Sequence, residues 1–200
     1  MLDAAAWSVP TLGVAITEHG LERRPHPLEN SDFLFAEAQA MYGMLPERTF
    51  RQEFLAEFIE DSGGVFRGVE AAATAKPQTK AQPGHAYIAG VDWARSNDFT
   101  VITILDATDR RMVAMDRFNQ IDYHVQLNRL RALYDRFKPH IIIAEANSMG
   151  TPLLETLMRD GLPVQAFTTT NASKAIIIDA LNLAFEQSRI RILGDPILLA

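Results

Sequence analysis

The chain has 200 residues, of which 48% are hydrophobic, and a formal net charge of -6 at pH 7. This length and composition allow one sizeable core with a smaller appended part. The absence of cysteine excludes a disulfide framework and a thiolate zinc site, and no apolar run reaches the roughly 18 residues of a membrane span. The negative charge argues against broad, non-specific attraction to nucleic acid, which usually requires a basic face.

The first part of the chain shows mainly helical patterns. Residues 1–28 contain only short apolar pieces broken by proline and glycine, which indicates an element or two of a larger domain. A helix is predicted after Asn30 or Ser31, and either of these residues is a candidate N-cap. The chain contains no G-x-x-x-x-G-K-[ST] motif and therefore no P-loop for nucleotide hydrolysis.

A second helix is predicted from Thr49, because Thr49 and Gln52 have the spacing of a capping box. Phe50, Phe54 and Phe58 follow one another at four-residue steps. We expect these rings to pack along one helical face.

A regular alternation of strands and helices begins after residues 70–84, which contain two prolines and predict a linker or a loosely docked arm. Strands are predicted at 86–93, 99–105, 111–118, 141–144, 163–167 and 190–192, with helices at 123–137, 151–160 and 173–188. The first three strands are joined by short turns and predict an antiparallel meander. The last two helices are expected to bury stripes that include Met158 and Ile177.

Two of the predicted buried strands end in an acidic residue followed by a polar loop. Asp92 ends the first strand, and Glu145 follows the apolar run 141–144. In an open α/β sheet, sites form beyond the strand ends, so two such acids on neighbouring strands face one small volume. Two carboxylates in one volume repel unless a cation or a shared proton is present, and hard oxygen ligands favour Mg²⁺ or Mn²⁺. The pattern therefore predicts a metal site, although acids after strands also cap turns.

Three further residues are candidates for a place near this site. Asp98 is either an outer partner of the metal ligands or the cap of its loop, and Asn147 either shapes the loop after Glu145 or is a plain turn residue. Lys174, near the start of a helix, is either a phosphate contact or a solvated lysine. His85 has no partner at ligand spacing and is expected to be an ordinary surface histidine.

Several spaced motifs resemble those of one family, the large terminase subunits of tailed bacteriophages. The motifs are LPERTFRQEFLAEF (45–58), GVF (64–66), GVDW (90–93) with Asp98, IIAEAN (142–147) with Gly150, and TTNASK (169–174). The likeness runs from about residue 29 to the end of the chain. The order of the predicted elements also matches the ribonuclease H-like fold.

The resemblance implies a domain organisation. Residues 1–69 would be the C-terminal remnant of an ATPase domain with a connecting helix, and 70–84 a linker. Residues 85–200 would be a ribonuclease H-like nuclease domain, an α/β mixed sheet with flanking helices, truncated at its C-terminus. A small, mostly helical segment therefore precedes the nuclease domain.

The resemblance also implies a set of metal ligands. In this family three acidic positions hold two divalent ions, and Asp92 and Glu145 match the first and second positions. The family's third acid, often in a His-Asp-Asp-like run, has no counterpart in this chain. Asp179 is expected inside a helix and Asp195 in a turn, so neither is assigned to the site, and the activity of this chain alone is left open.

The implied function is DNA packaging, with cleavage of concatemeric double-stranded DNA by two Mg²⁺ or Mn²⁺ ions. The implied partners are DNA, the portal protein, the small terminase subunit and further copies of the chain, in the cytoplasm of the bacterial host and without a membrane. One alternative is a non-catalytic terminase remnant that binds DNA or the portal. A second is an actin-like ATPase, which expects a glycine-rich loop after the first strand, whereas residues 93–97 contain no glycine.

Overall fold

A computed structural model describes residues 14–23, 32–55, 57, 66–94, 98–146 and 150–199. The chain divides into two compact units, one formed by 1–67 with 178–187 and the other by 68–177 with 188–200. Within the described ranges, no helix is both long enough and apolar enough to cross a membrane. The domain boundaries inferred from the resemblance stay predictions.

The first unit begins with a hairpin of β1 (Val14–Thr17) and β2 (Gly20–Arg23), followed by α1 (Asp32–Met44) and α2 (Glu47–Glu53). The second unit contains α3 (Val69–Ala72), β3 (Tyr87–Asp92), β4 (Thr100–Asp106), β5 (Arg111–Phe118), α4 (Tyr123–Phe137), β6 (Ile141–Glu145), α5 (Gly150–Arg159), β7 (Val164–Phe167), the first part of α6 (Asn171–Glu186), and α7 (Pro196–Leu199). The rest of α6, from Ile178, belongs to the first unit.

An aromatic cluster around Phe50 forms the centre of the first unit. Phe50 is fully buried, with Tyr42 edge-on to it at 5.2 Å and Phe54 stacked on it at 5.0 Å between ring centroids. The predicted packing role is therefore confirmed for Phe50 and Phe54, while Phe58 lies outside the described residues.

The start of α2 differs from the sequence prediction. Pro46 occupies the N-cap position, so Thr49 and Gln52 lie inside the helix and the predicted capping box is wrong. The first turn carries Glu47 instead, whose negative charge suits the N-terminal end of a helix dipole. The backbone N–H of Glu47 donates to the carboxylate of Glu186 at 2.8 Å, which satisfies one of the free donors at the helix start.

Five strands of the described residues form one mixed sheet in the order β5-β4-β3-β6-β7. β3, β4 and β5 pair antiparallel, which confirms the predicted meander. β6 pairs parallel with β3, and β7 pairs parallel with β6. Helix α5 connects β6 to β7, and the chain passes from β3 to β6 through β4, β5 and α4, because parallel neighbours need a long crossover. The predicted α/β class with a mixed sheet and flanking helices is confirmed.

Helices α4 and α5 cover one face of this sheet and form the main core. Leu130 of α4 and Leu157 of α5 have no exposed surface, and they belong to one cluster with Ala89, Val91 and Ile142 from the strands. Because side chains alternate along a strand, the intervening residues of β3 and β6 lie on the opposite face. Asp92 and Glu145, the last residues of β3 and β6, lie on that opposite face.

Some predicted burial is wrong. Met158 and Ile177 are exposed by 48% and 46%. The buried side of α5 is the narrower stripe that carries Leu153 and Leu157, and Met158 lies outside it. Asp122 occupies the N-cap of α4, but its side chain makes no capping hydrogen bond.

Residues 190–192 form no regular strand. Arg191 makes an isolated bridge to Arg111 at the start of β5, and Leu193 makes another to Ala75. The segment 70–84 also contacts the outer edge of the sheet, where the N–H of Gln78 donates to a β5 carbonyl at 2.8 Å. Single bridges and isolated hydrogen bonds therefore cover part of the β5 edge.

The buried carboxylate of Asp106 holds together the end of the sheet at which β3 begins. Asp106 has no exposed surface and accepts hydrogen bonds from the backbone N–H groups of Thr108 and Asp109 at 3.1 and 3.2 Å. Its Oδ2 lies 2.8 Å from Nδ1 of His85 and 3.5 Å from Arg111. Burial alone would raise the pKa of Asp106, but the hydrogen bonds from His85 and Asp109 and the charges of His85 and Arg111 outweigh it and lower that pKa.

Replacing Asp106 with Asn should lower the free energy of unfolding at pH 7 by about 2 kcal/mol, because buried donors lose a charged acceptor. The folded-state pKa of Asp106 lies below its unfolded value. Its contribution is therefore present above the unfolded-state pKa of about 3.9 and is lost as the pH falls through the folded-state value. Urea unfolding at pH 7 and at a series of lower pH values measures the difference.

Asp135→Asn is the matched control, since Asp135 pairs with Lys138 at 2.7 Å on the surface and both side chains are mostly exposed. That substitution should change stability by less than about 0.5 kcal/mol. Equal effects of the two substitutions, or a difference that does not shrink at low pH, would contradict the role assigned to Asp106.

Candidate metal centre

The parallel pairing of β3 with β6 places the two predicted acids side by side. The register pairs Val91 with Ala144, and continuing it by one residue places Asp92 beside Glu145. Neighbouring paired residues share a face of a sheet, so both carboxylates leave the same face at the carboxyl ends of the strands. Open α/β sheets form their ligand-binding and active sites at this end of the strands.

The carboxyl groups of Asp92 and Glu145 lie close enough to interact, and two ionised carboxylates at such a distance repel each other. Partial burial, the neighbouring carboxyl group of Glu145 and the charge of Asp98 raise the pKa of Asp92 to about 6. A divalent cation would offset this repulsion, and carboxylate oxygens are donors that Mg²⁺ and Mn²⁺ prefer. The pair therefore fits a divalent metal.

Asp98 belongs to the acidic surroundings of Asp92. It lies between β3 and β4, close enough for its charge to raise the pKa of Asp92. Its Oδ1 accepts a hydrogen bond from the backbone N–H of Phe99 at 2.8 Å. These observations agree with both roles that the sequence left open, a partner of the ligands and a loop cap, so its function stays a prediction.

A buried polar network anchors the chain just after Asp92. Thr100 and Gln126, which are 1% and 2% exposed, are joined by a hydrogen bond of 2.9 Å from the hydroxyl to the amide oxygen. The hydroxyl of Thr100 accepts from the N–H of Ala94 at 2.8 Å, and the Gln126 amide donates to the carbonyls of Ala94 and Ile121 at 3.2 and 3.0 Å. The start of β4 and the first turn of α4 therefore hold the end of β3 in place.

The backbone of Glu145 is held by a close approach of α5. A Cβ atom at Gly150 would lie 1.9 Å from the carbonyl oxygen of Glu145, a distance that only glycine avoids. The hydroxyl of Thr151 donates to the carbonyl of Ala146 at 2.9 Å. Gly150 therefore allows α5 to start in close contact with the backbone of Glu145, whereas Asn147 lies outside the described residues.

Lys174 lies near the same end of the sheet as Asp92 and Glu145. It is exposed in the first turn of α6, the helix that follows β7, and the end of β7 pairs with Glu145 through Phe167. Thr170 and Ser173 cap this helix reciprocally, with backbone-to-hydroxyl distances of 2.8 and 3.1 Å. A contact between Lys174 and phosphate stays a prediction.

Asp179 and Asp195, which the sequence did not assign to the metal site, lie in a helix and in a turn. Asp179 lies inside α6, as predicted. The carboxylate of Asp195 accepts a hydrogen bond from the N–H of Ile197 at 2.8 Å, at the start of α7. This agrees with the predicted turn role of Asp195.

The sequence reasoning missed the polar residues that hold the site. Gln126 lies three residues after Tyr123 and four before Leu130, within the apolar face of α4, and this polar residue in a buried stripe was the available signal. Thr100, its partner, carries no comparable signal, because a threonine at the start of a strand is common.

The expectation for His85 was also wrong, since its ring contacts Asp106. Among the described residues, His85, Asp106 and Asp109 bring potential ligand atoms within 4.8 Å of one another. Arg111 already supplies positive charge there, at 3.0 Å from Asp109. Asp106 pairs with Tyr87 at the start of β3, so this cluster lies at the opposite end of the strand from Asp92. There it stabilises the fold.

Replacing Asp92 with Asn should stabilise the metal-free protein at pH 8. Because the folded-state pKa is raised, the contribution of Asp92 is favourable below its ordinary pKa of 3.8 and is lost as the pH rises through about 6. The shift corresponds to roughly 3 kcal/mol at most, and the exposure of Asp92 reduces the expected gain to about 1 kcal/mol. Urea unfolding in EDTA at pH 8 and at pH 5 measures this gain, which should be smaller at pH 5. An equal loss of stability at both pH values would contradict the repulsive contact with Glu145.

Comparisons with known proteins agree with this fold. The family described as "Terminase RNaseH-like domain" matches residues 89–197. The terminase large subunit of Thermus virus P23-45 is 27% identical over 164 residues, which cover 78% of this chain and 34% of the relative. The chain therefore spans about a third of the length of the curated relatives that it matches.

Two solved structures are similar to this chain. The large terminase nuclease from thermophilic phage G20c with bound magnesium has a TM-score of 0.60 at 22% identity, covering 68% of this chain and 77% of that one. The HK97 bacteriophage large terminase has a TM-score of 0.55 at 16% identity, covering 86% and 43%. At these identities the likeness shows the ribonuclease H-like fold that was predicted. Because the family match covers more than half of the 200 residues, the chain belongs to the terminases with a ribonuclease H-like domain.

Proposed function

We propose that residues 85–200 are the nuclease part of a terminase large subunit that cuts double-stranded DNA with divalent metal ions. The observation that carries this proposal is the pairing of Asp92 with Glu145 at the ends of neighbouring parallel strands. Family membership and the likeness to terminase nucleases support it. The same comparisons do not favour an actin-like ATPase or a non-catalytic module.

Asp92 and Glu145 would hold the metal, and Mg²⁺ or Mn²⁺, with two ions expected, suits their hard oxygen donors. The nuclease of phage G20c was solved with bound magnesium, which supports the same choice here. When bound, the ions supply Lewis-acid stabilisation of the negative charge that develops at the phosphate being cut.

The protein's own contribution is to keep two carboxylates close and fixed. The network of Thr100 and Gln126 holds the chain after Asp92, and the close packing of Gly150 holds the backbone of Glu145. Strand ends fixed in this way keep the ligands in place before metal or DNA arrives, which reduces the free-energy cost of ordering them. We assign Asp98, Asn147 and Lys174 supporting roles, the first two near the ligands and the third at phosphate.

Family membership supports a proposal for the wider assembly. We assign residues 1–69 to the end of an ATPase domain and 70–84 to the connection with the nuclease. Double-stranded DNA, the portal protein, the small terminase subunit and further copies of this chain are the proposed partners, and the cytoplasm of the bacterial host is the proposed location.

The purified chain should nick supercoiled plasmid in the presence of Mn²⁺. Asp92→Asn and Glu145→Gln should each lower the nicking rate by roughly 10²-fold or more, since each removes a charged ligand. Both variants should also weaken Mn²⁺ binding in isothermal titration calorimetry without DNA. The matched control is Asp160→Asn, because Asp160 pairs with Arg131 on the surface and lies outside the site.

The two measurements separate the possible failures. If the parent chain binds no Mn²⁺, or if Asp92→Asn and Glu145→Gln bind it as well as the parent, the metal assignment is wrong. Metal binding that depends on both acids, without any cutting of DNA, would support the metal assignment and contradict cleavage by this chain alone.

A further inference from the structure

One row of paired residues crosses the sheet at the level of the two acids. Asp92 pairs with Val101 on β4, and Val101 pairs with Arg117 on β5. On the other side of the row, Glu145 pairs with Phe167 on β7. Because paired neighbours share a face, the row carries two acids and one arginine on the face of the sheet that α4 and α5 leave uncovered.

Arg117 is exposed and rests on an aromatic ring. Its guanidinium carbon lies 3.2 Å from the centre of the Phe99 ring, which is a stacked cation–π contact. This contact restricts the side chain but uses only the face of the guanidinium group and none of its N–H donors. Since Phe99 directly follows Asp98, the support for Arg117 belongs to the same loop as the acidic surroundings of Asp92.

Neighbouring arginines of the same part of the fold are neutralised. Arg129 binds Asp116 through two hydrogen bonds of 2.8 and 2.5 Å, and Arg111 pairs with Asp109 at 3.0 Å. In the described part of the chain, no acidic residue forms an ion pair with Arg117. A fixed, unneutralised positive charge therefore shares a surface with the acid pair.

We propose that Arg117, held on Phe99, binds a backbone phosphate of duplex DNA and positions the strand across Asp92 and Glu145. Two strand spacings separate Arg117 from Asp92, a distance of about 10 Å between backbones. Neighbouring phosphates of a duplex strand are separated by distances of the same order, so a phosphate near the one being cut is within reach. Local positive charge of this kind would let a chain with a net charge of -6 contact a phosphate backbone. The inference rests on the proposed nuclease function.

The test measures binding of the whole chain to a fluorescent DNA duplex by anisotropy, with Ca²⁺ in place of Mg²⁺ and over a range of salt concentrations. Arg117→Ala should lower the slope of log affinity against log salt by about 0.9, and weaken binding roughly 3- to 10-fold at low salt, because one phosphate contact is lost. The loss should be the same for two duplexes of unrelated sequence.

Two further variants make the result specific. Arg117→Lys keeps the charge and should restore the salt slope, whereas loss of packing alone would not be restored by lysine. Arg159→Ala is the matched control, since Arg159 is an exposed arginine in the last turn of α5, which covers the opposite face of the sheet. This control should bind DNA as the parent does.

The outcomes separate the inference from the function on which it rests. If the parent binds DNA and Arg117→Ala keeps the parent's salt slope, or loses no more affinity than Arg159→Ala, the inference is wrong and the nuclease proposal stands. If Arg117→Lys is as defective as Arg117→Ala, Arg117 has a packing role and the inference is again wrong. If the parent binds no duplex under any of these conditions, both the inference and the nuclease proposal are wrong.

Discussion

The repulsion between Asp92 and Glu145 is the constraint on which the site depends. Parallel pairing of β3 with β6 places the two carboxylates on adjacent strands, where the proximity of Glu145 contributes, after burial, to raising the pKa of Asp92 to about 6. At neutral pH this arrangement costs folding free energy, and the buried layer under α4 and α5 has to offset that cost. A carboxylate pair whose proximity opposes folding is characteristic of a functional site.

Two carboxylates of the same sheet show how surroundings decide the role of a residue. Asp106, at one end of the strands, is buried among His85, Arg111 and backbone donors, and these partners lower its pKa. Asp92, at the other end, is partly buried beside Glu145 and Asp98, and its pKa is raised. The first carboxylate stabilises the fold when ionised, whereas ionisation of the second opposes folding. The polar network of Thr100 and Gln126 lies beside the second group and keeps its strand end from relaxing.

The strands and the acid pair were predictable because each produces a pattern within a few consecutive residues. Apolar runs marked the strands, and the acids at their ends identified Asp92 and Glu145 as neighbours. The capping box at Thr49 failed because Pro46 starts the helix earlier, which is a competing local signal. The bonds of Gln126 with Thr100 and of His85 with Asp106 were missed because they join residues 26 and 21 positions apart. Such pairings are decided by the register of the sheet and the docking of α4, which no local pattern encodes.

The most direct test of the central claim is a crystal structure of the chain soaked in Mn²⁺, with anomalous diffraction used to locate the metal. The account predicts an anomalous peak at about 2.2 Å from carboxylate oxygens of both Asp92 and Glu145, since divalent ions bind oxygen at roughly this distance. A peak only at His85, Asp106 and Asp109, or at neither cluster, would show that the acid pair is not a metal site.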